Sequence, residues 1–252
     1  MTDLVRYEVG AGRATITLDS SENHNALSPR LVDELADALE HAFGDDQVRV
    51  VVLTNTGQTF CAGADLRAVG DDRGSPRLFA PLLQSMMDAP KPVVGRIAGG
   101  CFGGGVGLAA ACDISVVVDT ARIGFTEVRV GVAPAVISVV CLPKLRLADA
   151  LELFLTGERI TAQRAVDVGL LTCAASEEAL DAVVDDYVQR VMLGGPNALA
   201  ACKQLVRRVP QLPRTEAIDW TNDLSAQLFR SEEGSQGAEA FRTKTSPPWV
   251  NK

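Results

Sequence analysis

The sequence predicts an α/β fold in which parallel β-layers are stacked and helices lie outside them. In the N-terminal half, strand-like apolar runs alternate with helical patterns, and a turn separates each pair. The run Val48–Leu53 is almost wholly apolar, as expected for a strand that is buried on both faces. From Leu145 onward the chain is predicted to be mainly helical.

A hairpin and an amphipathic helix are the first predicted elements. Tyr7–Val9 and Ala14–Leu18 show strand patterns on either side of a glycine-containing turn. Ser28 followed by Pro29 is typical of a helix start, and this helix is expected to run to about Phe43. The apolar residues on one face of this helix are Leu31, Leu35, Ala38, Leu39 and Ala42.

The later elements repeat the order of strand, turn and helix. They are predicted as a strand at Val48–Leu53, a loop rich in Asp, Arg and Gly at Gly70–Pro76, a helix near Leu78–Met87, a strand at Val93–Ile97, a small-residue helix from about Gly104 to Ala111, and a strand at Asp113–Val118. The main C-terminal helices are predicted at Glu177–Met192, Ala198–Val209, Thr215–Phe229 and Glu232–Thr243. Their apolar faces need something to pack against, in the same subunit or in another.

The composition favours one soluble globular unit. The chain has 252 residues, of which 47% are hydrophobic and 22% are charged, and this size suits one α/β domain. The net charge of −8 argues against a general nucleic-acid surface. Apolar stretches are interrupted before they reach bilayer length, so no membrane association is expected. No signal peptide is visible before the first strand pattern.

The cysteines and histidines exclude two kinds of site. None of the six cysteines forms a CxxC pair, and His24 and His41 are the only histidines. Zinc-ligand spacing is therefore absent, as is a Cys–His nucleophile pair. Cysteines scattered in apolar runs are typical of buried thiols in a reducing compartment, so we expect a cytoplasmic protein without a bound metal.

Two glycine-containing turns are the most informative feature. Phe60–Leu66 follows one strand pattern, and Gly99–Gly107 follows another. Small residues at such places let a ligand approach the backbone closely. If the fold brings the turns together, two backbone N–H groups can point at one oxygen. Such an oxyanion hole indicates acyl chemistry through an enolate rather than through a side-chain nucleophile.

Further short motifs accompany these turns in a fixed order along nearly the whole chain. They are Asn25–Ser28, Phe60–Leu66, Lys91–Val93, Phe102–Leu108, Cys112–Ile114, Phe125–Pro134, Glu233–Gly234, Ala240–Lys244 and Pro248–Trp249. Together they resemble the enoyl-CoA hydratase/isomerase, or crotonase, superfamily. Within it, the pattern is most similar to bacterial methylglutaconyl-CoA hydratase-like members.

The resemblance implies a crotonase-like spiral of repeated ββα units, followed by a helical C-terminal trimerisation region. Residues 1–195 would form the spiral core with the acyl-CoA site, and residues 196–252 the helical C-terminal region. The resemblance also implies a homotrimer or a dimer of trimers. Coenzyme A enters as part of the substrate, and no separate cofactor is implied.

The same resemblance assigns the catalytic groups. The N–H groups of Ala64 and Gly104 would stabilise a thioester enolate, and each such donor is worth ~3 kcal/mol in the transition state. Glu127 falls where the family places the carboxylate that handles the proton on the α-carbon. Many hydratases of the family carry a second Glu at the position of Gly107. Its absence leaves the two-carboxylate hydration mechanism without one of its groups.

A further set of residues is expected around coenzyme A. His24 and Ala26 would lie along the pantetheine and adenine. Other residues expected at the substrate are Ala62, Asp65, Leu66 and Arg67, together with the C-terminal pair Phe241 and Lys244.

The favoured function is a lyase that adds water to the double bond of a 2-enoyl-CoA. One alternative is a double-bond isomerase, which needs only one carboxylate as a proton shuttle. Another is a non-catalytic acyl-CoA binder. Gly105–Ala110 also matches the GxGxxA pattern of nicotinamide-dependent oxidoreductases, but that function leaves the paired turns unexplained.

Overall fold

The structure is a computed structural model that describes residues 3–68 and 79–250. The loop predicted at Gly70–Pro76 and the first residue of the helix predicted at Leu78–Met87 lie outside these residues. The strands are β1 Val5–Gly10, β2 Arg13–Leu18, β3 Val50–Asn55, β4 Thr59–Cys61, β5 Val93–Ile97, β6 Gly100–Phe102, β7 Ile114–Val118, β8 Arg122–Gly124, β9 Ile160–Thr161 and β10 Cys173–Ala175. The α-helices are α1 Pro29–Gly44, α2 Phe79–Asp88, α3 Gly104–Ala111, α4 Ala135–Cys141, α5 Leu147–Thr156, α6 Ala162–Asp167, α7 Leu180–Met192, α8 Pro196–Arg208, α9 Arg214–Arg230 and α10 Glu232–Thr243.

Two sheets form the core of the fold. The larger has the order β1-β2-β3-β5-β7-β10, and the smaller has the order β4-β6-β8-β9. The β1–β2 hairpin is antiparallel, whereas β2, β3, β5, β7 and β10 run parallel to one another. The smaller sheet is parallel except where β9 pairs with β8. This arrangement confirms the predicted α/β class with parallel layers.

Three consecutive repeats build the two sheets together. Each repeat adds one strand to the larger sheet, then one to the smaller sheet, then a helix: β3-β4-α2, β5-β6-α3 and β7-β8-α4. This is the ββα spiral that the resemblance implied. The chain therefore crosses from the larger to the smaller sheet three times at the same end of the fold, and the two glycine turns follow the second strand of the first two repeats.

Local sequence explains the elements that position the site. The Ser28 side chain accepts a hydrogen bond from the Leu31 N–H and so caps α1, with Pro29 at its first position. All six residues of β3 are buried, as predicted for a strand covered on both faces. In α3, residues 105–111 are all buried. This helix can be buried so completely because its residues are Gly, Ala, Val and Leu.

Some elements were not predicted. β4 and β6 overlap the segments interpreted as plain glycine turns, so β3 and β5 of the larger sheet each lead first into a second short strand. Strands of three residues carry too little alternation to be recognised by their period. The four predicted C-terminal helices are present as α7 to α10. In the part of the chain that the structure describes, no helix combines the length and apolar character needed to cross a membrane.

Candidate active site

The start of α3 forms one half of the candidate site. Gly103 precedes the helix with φ +50°, a conformation that favours glycine. Its N–H donates to the Gly124 carbonyl at 3.0 Å, which ties this turn to β8. Gly104 is the first helical residue, so its N–H has no acceptor within the helix. Among the described residues no other acceptor is recorded for it either, and the helix dipole adds positive potential there.

The segment after β4 forms the other half. The Leu27 N–H donates to the Gly63 carbonyl at 2.8 Å, and the Asp65 N–H donates to the Leu27 carbonyl at 3.4 Å. Leu27 and Ala64 therefore form a parallel bridge. In such a bridge the N–H of Ala64 faces away from Leu27. It points to the side on which β6 pairs with β4. No hydrogen bond of this N–H is recorded within residues 3–68 and 79–250.

The two turns pack directly against each other. Gly63 has φ +89°. A Cβ atom at this position would lie 2.9 Å from the Phe102 carbonyl oxygen and 3.3 Å from the Gly104 nitrogen. A glycine at position 63 therefore permits the first turn to reach the second. Ala64 is exposed and Gly104 is half-buried, so the amides are at a surface that a ligand can reach.

Apolar side chains flank this meeting point. A Cβ atom at Gly104 would lie 2.6 Å from Cδ1 of Leu27 and 3.5 Å from Cε1 of Phe79. Gly104 must therefore lack a side chain if Leu27 is to occupy this position. The two side chains give the surface next to the Gly104 amide an apolar wall, which suits hydrocarbon rather than a charged group.

Glu127 lies on the other side of the start of α3. It belongs to a 3-10 helix, Thr126–Val130, that follows β8. A Cβ atom at Gly103 would lie 3.0 Å from Oε1 of Glu127. Burial raises the pKa of Glu127, and a backbone hydrogen bond opposes this only in part. Its Oε2 atom is buried and has no hydrogen-bond partner among the described residues. A half-buried carboxyl group of this kind is a candidate for both accepting and returning a proton.

No second carboxylate stands at position 107. Gly107 is buried in α3, and a Cβ atom there would lie 2.3 Å from Cγ2 of Ile137. Ile137 is on α4 and is almost fully buried. The place that a side chain of residue 107 would enter is therefore filled by an isoleucine from the neighbouring helix.

The structure brings five of the predicted coenzyme A residues into or next to the first turn. The Ala62 N–H donates to the His24 carbonyl at 3.0 Å, while the His24 residue is exposed and Ala26 is buried. Asp65 accepts hydrogen bonds from the backbone N–H and Nε of Arg67, each at 3.1 Å. The hydrogen bond from Arg67 is the main reason that the pKa of Asp65 is lowered.

The remaining predicted substrate residues differ in position. Leu66 follows Ala64 and Asp65 and is 59% exposed. Phe241 is 87% exposed on α10, and Lys244 is the exposed residue that ends this helix. Within the single subunit, Phe241 is therefore not packed against the glycine turns. A cleft of about 540 Å³ lies among the C-terminal helices, and another of about 480 Å³ lies between these helices and the segments around Arg49 and Lys91. Neither cleft is lined by Ala64, Gly104 or Glu127.

The sequence analysis missed two contributions. Ile137 was not singled out, and its contact with Gly107 depends on how α4 packs on α3. Asn25 was noted only as part of the motif with Ala26 and Leu27, yet its side chain is wholly buried. The sequence shows only an asparagine at this place in the motif, and its burial is a property of the fold. Among the described residues, no group of three or more His, Cys, Asp or Glu side chains is arranged to hold a metal ion.

Comparisons with known proteins identify the family of this chain. The sequence profile described as Enoyl-CoA hydratase/isomerase matches residues 8–252. An enoyl-CoA hydratase of Alternaria alternata is 36% identical to this chain, covering 94% of this chain and 81% of the relative. A carnitinyl-CoA dehydratase of Citrobacter koseri is 30% identical and covers 94% of each chain. The crystal structure of an enoyl-CoA hydratase from Shewanella pealeana has a TM-score of 0.92 and 29% identity, covering 98% of this chain and 96% of that one.

Proposed function

The chain belongs to the enoyl-CoA hydratase/isomerase family, and we propose that within it the protein is a hydro-lyase that adds water to a 2-enoyl-CoA. One observation carries the proposal. The carboxyl group of Glu127 lies at the start of α3 together with the N–H groups of Ala64 and Gly104, neither of which has an acceptor among the described residues. A proton carrier beside an oxyanion hole is what enolate chemistry on a thioester needs.

The proposed reaction uses these groups in two steps. The oxygen of water adds to C3 of the enoyl group, and the electron pair of the double bond moves onto the thioester oxygen. Ala64 and Gly104 hold that oxygen, each N–H contributing ~3 kcal/mol in the transition state. Glu127 takes the proton that the water loses and returns it to C2 as the enolate collapses. One carboxylate then serves first as base and then as acid.

The surrounding residues fit the two ends of such a substrate. The apolar wall of Leu27 and Phe79 beside Gly104 suits the carbon chain next to the thioester. His24, Ala26, Ala62, Asp65, Leu66 and Arg67 are the proposed neighbours of coenzyme A, together with Phe241 and Lys244. Coenzyme A is then part of the substrate rather than a separate cofactor.

Turnover assays test the proposal. The purified protein is given a panel of 2-enoyl-CoA thioesters, and hydration is followed by loss of the conjugated-thioester absorbance and by mass spectrometry. We expect hydration of at least one member by the wild type.

Glu127→Gln should lower kcat by roughly 100- to 10,000-fold, because an amide cannot carry the proton. Acyl-CoA binding should remain within about threefold, since the amide has nearly the same shape as the carboxyl group. Equal rates for the two proteins would overturn the role of Glu127.

A double-bond isomerase is the second candidate, and the contact between Gly107 and Ile137 favours it. Isomerisation moves a proton between two carbons of the chain, so Glu127 alone suffices and no water needs activation. A 3-enoyl-CoA panel separates the two functions. Rapid conversion of 3-enoyl to 2-enoyl thioesters without hydration of any 2-enoyl thioester would make the isomerase the first candidate and the hydro-lyase the second. Binding without either reaction would leave the third candidate, a non-catalytic acyl-CoA binder. The Citrobacter koseri relative, named as a dehydratase, supports water chemistry as the first choice.

We also propose that the protein is cytoplasmic and forms a homotrimer or a dimer of trimers. In this assembly residues 1–195 form the core of each subunit, and the helical region of residues 196–252 packs against neighbouring subunits. Large apolar side chains on the C-terminal helices support this, because Val206, Ile218 and Phe229 are each more than half exposed in the single chain. Six free cysteines are compatible with a reducing compartment. Light scattering at micromolar concentration should give three or six times the mass of one chain. A stable monomer would contradict the proposed assembly.

A further inference from the structure

The side chain of Asn25 lies in the interior of the fold, directly behind the first glycine turn. Asn25 is fully buried, and its amide makes three hydrogen bonds to backbone groups. Oδ1 accepts from the Ser20 N–H at 2.8 Å, and Nδ2 donates to the carbonyls of Thr56 at 3.1 Å and Thr59 at 2.8 Å. Both amide hydrogens are therefore used, as a buried polar group requires.

The backbone around Asn25 has an unusual conformation. His24 and Asn25 have φ values of 52° and 51°, in the left-handed region that asparagine tolerates better than most residues. Two consecutive residues in this region turn the chain so that its next groups face the segment after β4. The His24 carbonyl then accepts from Ala62, and the Leu27 N–H donates to Gly63.

The segment from Thr59 to Asp65 is thus fastened at successive points. Asn25 Nδ2 donates to the Thr59 carbonyl, and the His24 carbonyl accepts from the Ala62 N–H. Leu27 donates its N–H to the Gly63 carbonyl, and its own carbonyl accepts from the Asp65 N–H. The N–H of Ala64 lies between these fastened groups and faces the other way, towards the start of α3. Its direction is therefore set by the hydrogen bonds on the opposite side of its own strand.

From this geometry we infer that Asn25 is a positioning residue for the oxyanion donor Ala64. This inference rests on the proposed function. Asn25 does not touch the substrate. Its two donated hydrogen bonds keep the Thr56–Ala64 segment at the distance from Gly104 at which both N–H groups reach one thioester oxygen. An oxyanion-hole donor acts only within about 2.7–3.1 Å of that oxygen, and a displacement of about 1 Å can cost 10²-fold in rate.

Two substitutions of Asn25 test the inference. Asn25→Gly keeps the left-handed backbone accessible but removes the amide. We expect kcat with the best substrate of the 2-enoyl-CoA panel to fall by roughly 10- to 100-fold and KM to change less than about threefold. Asn25→Asp keeps the acceptor for Ser20, but when ionised it has no hydrogen to donate to the two carbonyls. When protonated it can donate one, so its kcat relative to the wild type should fall as pH rises.

Two control variants separate positioning from loss of stability. Ala11→Gly introduces glycine at another left-handed position, φ 50°, in the β1–β2 hairpin. Leu39→Ala removes a buried side chain of α1 and should destabilise by about 2–5 kcal/mol. Neither should change kcat by more than about twofold in protein that is folded at the assay temperature, although Leu39→Ala lowers Tm.

A spectroscopic readout reports on the oxyanion hole itself. The infrared carbonyl band of a ¹³C-labelled 2-enoyl-CoA is measured free and bound, with each variant placed in the Glu127→Gln background to prevent turnover. Binding to the Glu127→Gln protein should shift the band to lower frequency, and Asn25→Gly should remove part of that shift. An absent shift in the Glu127→Gln protein itself would overturn the proposed function. A normal shift that persists in Asn25→Gly, whether or not kcat falls, would overturn the role of Asn25 alone.

If Asn25→Gly is unfolded at the assay temperature, the pH profile of Asn25→Asp decides. A ratio of its kcat to the wild-type kcat that stays constant with pH would overturn the inference.

Discussion

Ile137 occupies the space that a side chain on residue 107 would need. A Cβ atom at Gly107 would lie 2.3 Å from Cγ2 and 2.9 Å from Cβ of Ile137, both far inside normal contact distance. Neither atom is the end of a flexible chain, so α4 itself would have to move. The packing of α4 on α3 therefore leaves no room for a second carboxylate at position 107. A single substitution at position 107 cannot restore it.

Restoring that carboxylate should require two changes. Gly107→Glu alone is expected to lower Tm and to give no gain in hydration, because overpacking a core costs about 1–3 kcal/mol or more. Gly107→Glu combined with Ile137→Gly should recover part of the lost stability, since the Cα of residue 137 lies at an ordinary 3.7 Å. Hydration rates and thermal melts of both proteins are compared with Ile137→Gly as the control. A fully stable Gly107→Glu single variant would contradict this account of the packing.

Glu127 should reduce stability at neutral pH. Burial raises its pKa in the folded protein above the ordinary value of 4.5. The protonated form therefore favours folding, and that stability is present below about pH 4.5 and lost as the pH rises through the folded pKa. Glu127→Gln stays neutral, so its stability relative to the wild type should increase with pH. Urea unfolding of both proteins between pH 5 and 8 measures this. A difference that is constant or shrinks with rising pH would contradict the prediction.

Gly63→Ala should separate the two turns. The added methyl group would press on the Phe102 carbonyl at 2.9 Å and the Gly104 nitrogen at 3.3 Å. Since these are backbone atoms, the oxyanion donors must move, and we expect kcat to fall about 100-fold or more. Gly12→Ala is the matched control, because its φ of +77° carries the same backbone strain. There the atom nearest to the new methyl group is the flexible end of Met192 at 3.0 Å, and two Arg49 side-chain atoms lie at an ordinary 3.8 and 3.9 Å. Equal kcat values for the two variants would show that backbone strain, not turn packing, controls the rate.

Asp113 should be important for stability. Its carboxylate pairs with Lys203 Nζ and Arg207 Nη2, each at 2.8 Å, and also accepts from the Val93 N–H at 2.8 Å. The side chains of Asp113 and Lys203 are largely buried, at 17% and 9% exposure. Asp113→Asn leaves two cations without their carboxylate and should cost about 3–5 kcal/mol in unfolding free energy. Asp186→Asn, at an exposed pair with Arg190 on α7, should cost less than about 1 kcal/mol. Similar losses in denaturant melts of the two variants would contradict this.

The sequence predicted the long elements with a clear hydrophobic pattern. The capped apolar face of α1 and the almost wholly apolar β3 are present within a few residues of their predicted bounds. The short strands β4 and β6 were missed because three residues carry no readable period. The helix α4 has only seven residues, and the helix α3 on which it packs is separated from it in the sequence by β7 and β8, so the sequence did not indicate this contact.

The sequence by itself determined the α/β class, the family, and which residues are candidates for the site, because these depend on local periodicity and on motifs in a fixed order. Only the tertiary structure decided which groups meet. It places Gly63 against Gly104, turns the Ala64 N–H away from Leu27, and sets Ile137 against Gly107. These relationships join residues about 30 to 40 positions apart. The physical reason is that a short motif fixes its own backbone conformation, whereas the direction of a hydrogen bond or the space for a side chain is fixed by neighbours that the fold supplies.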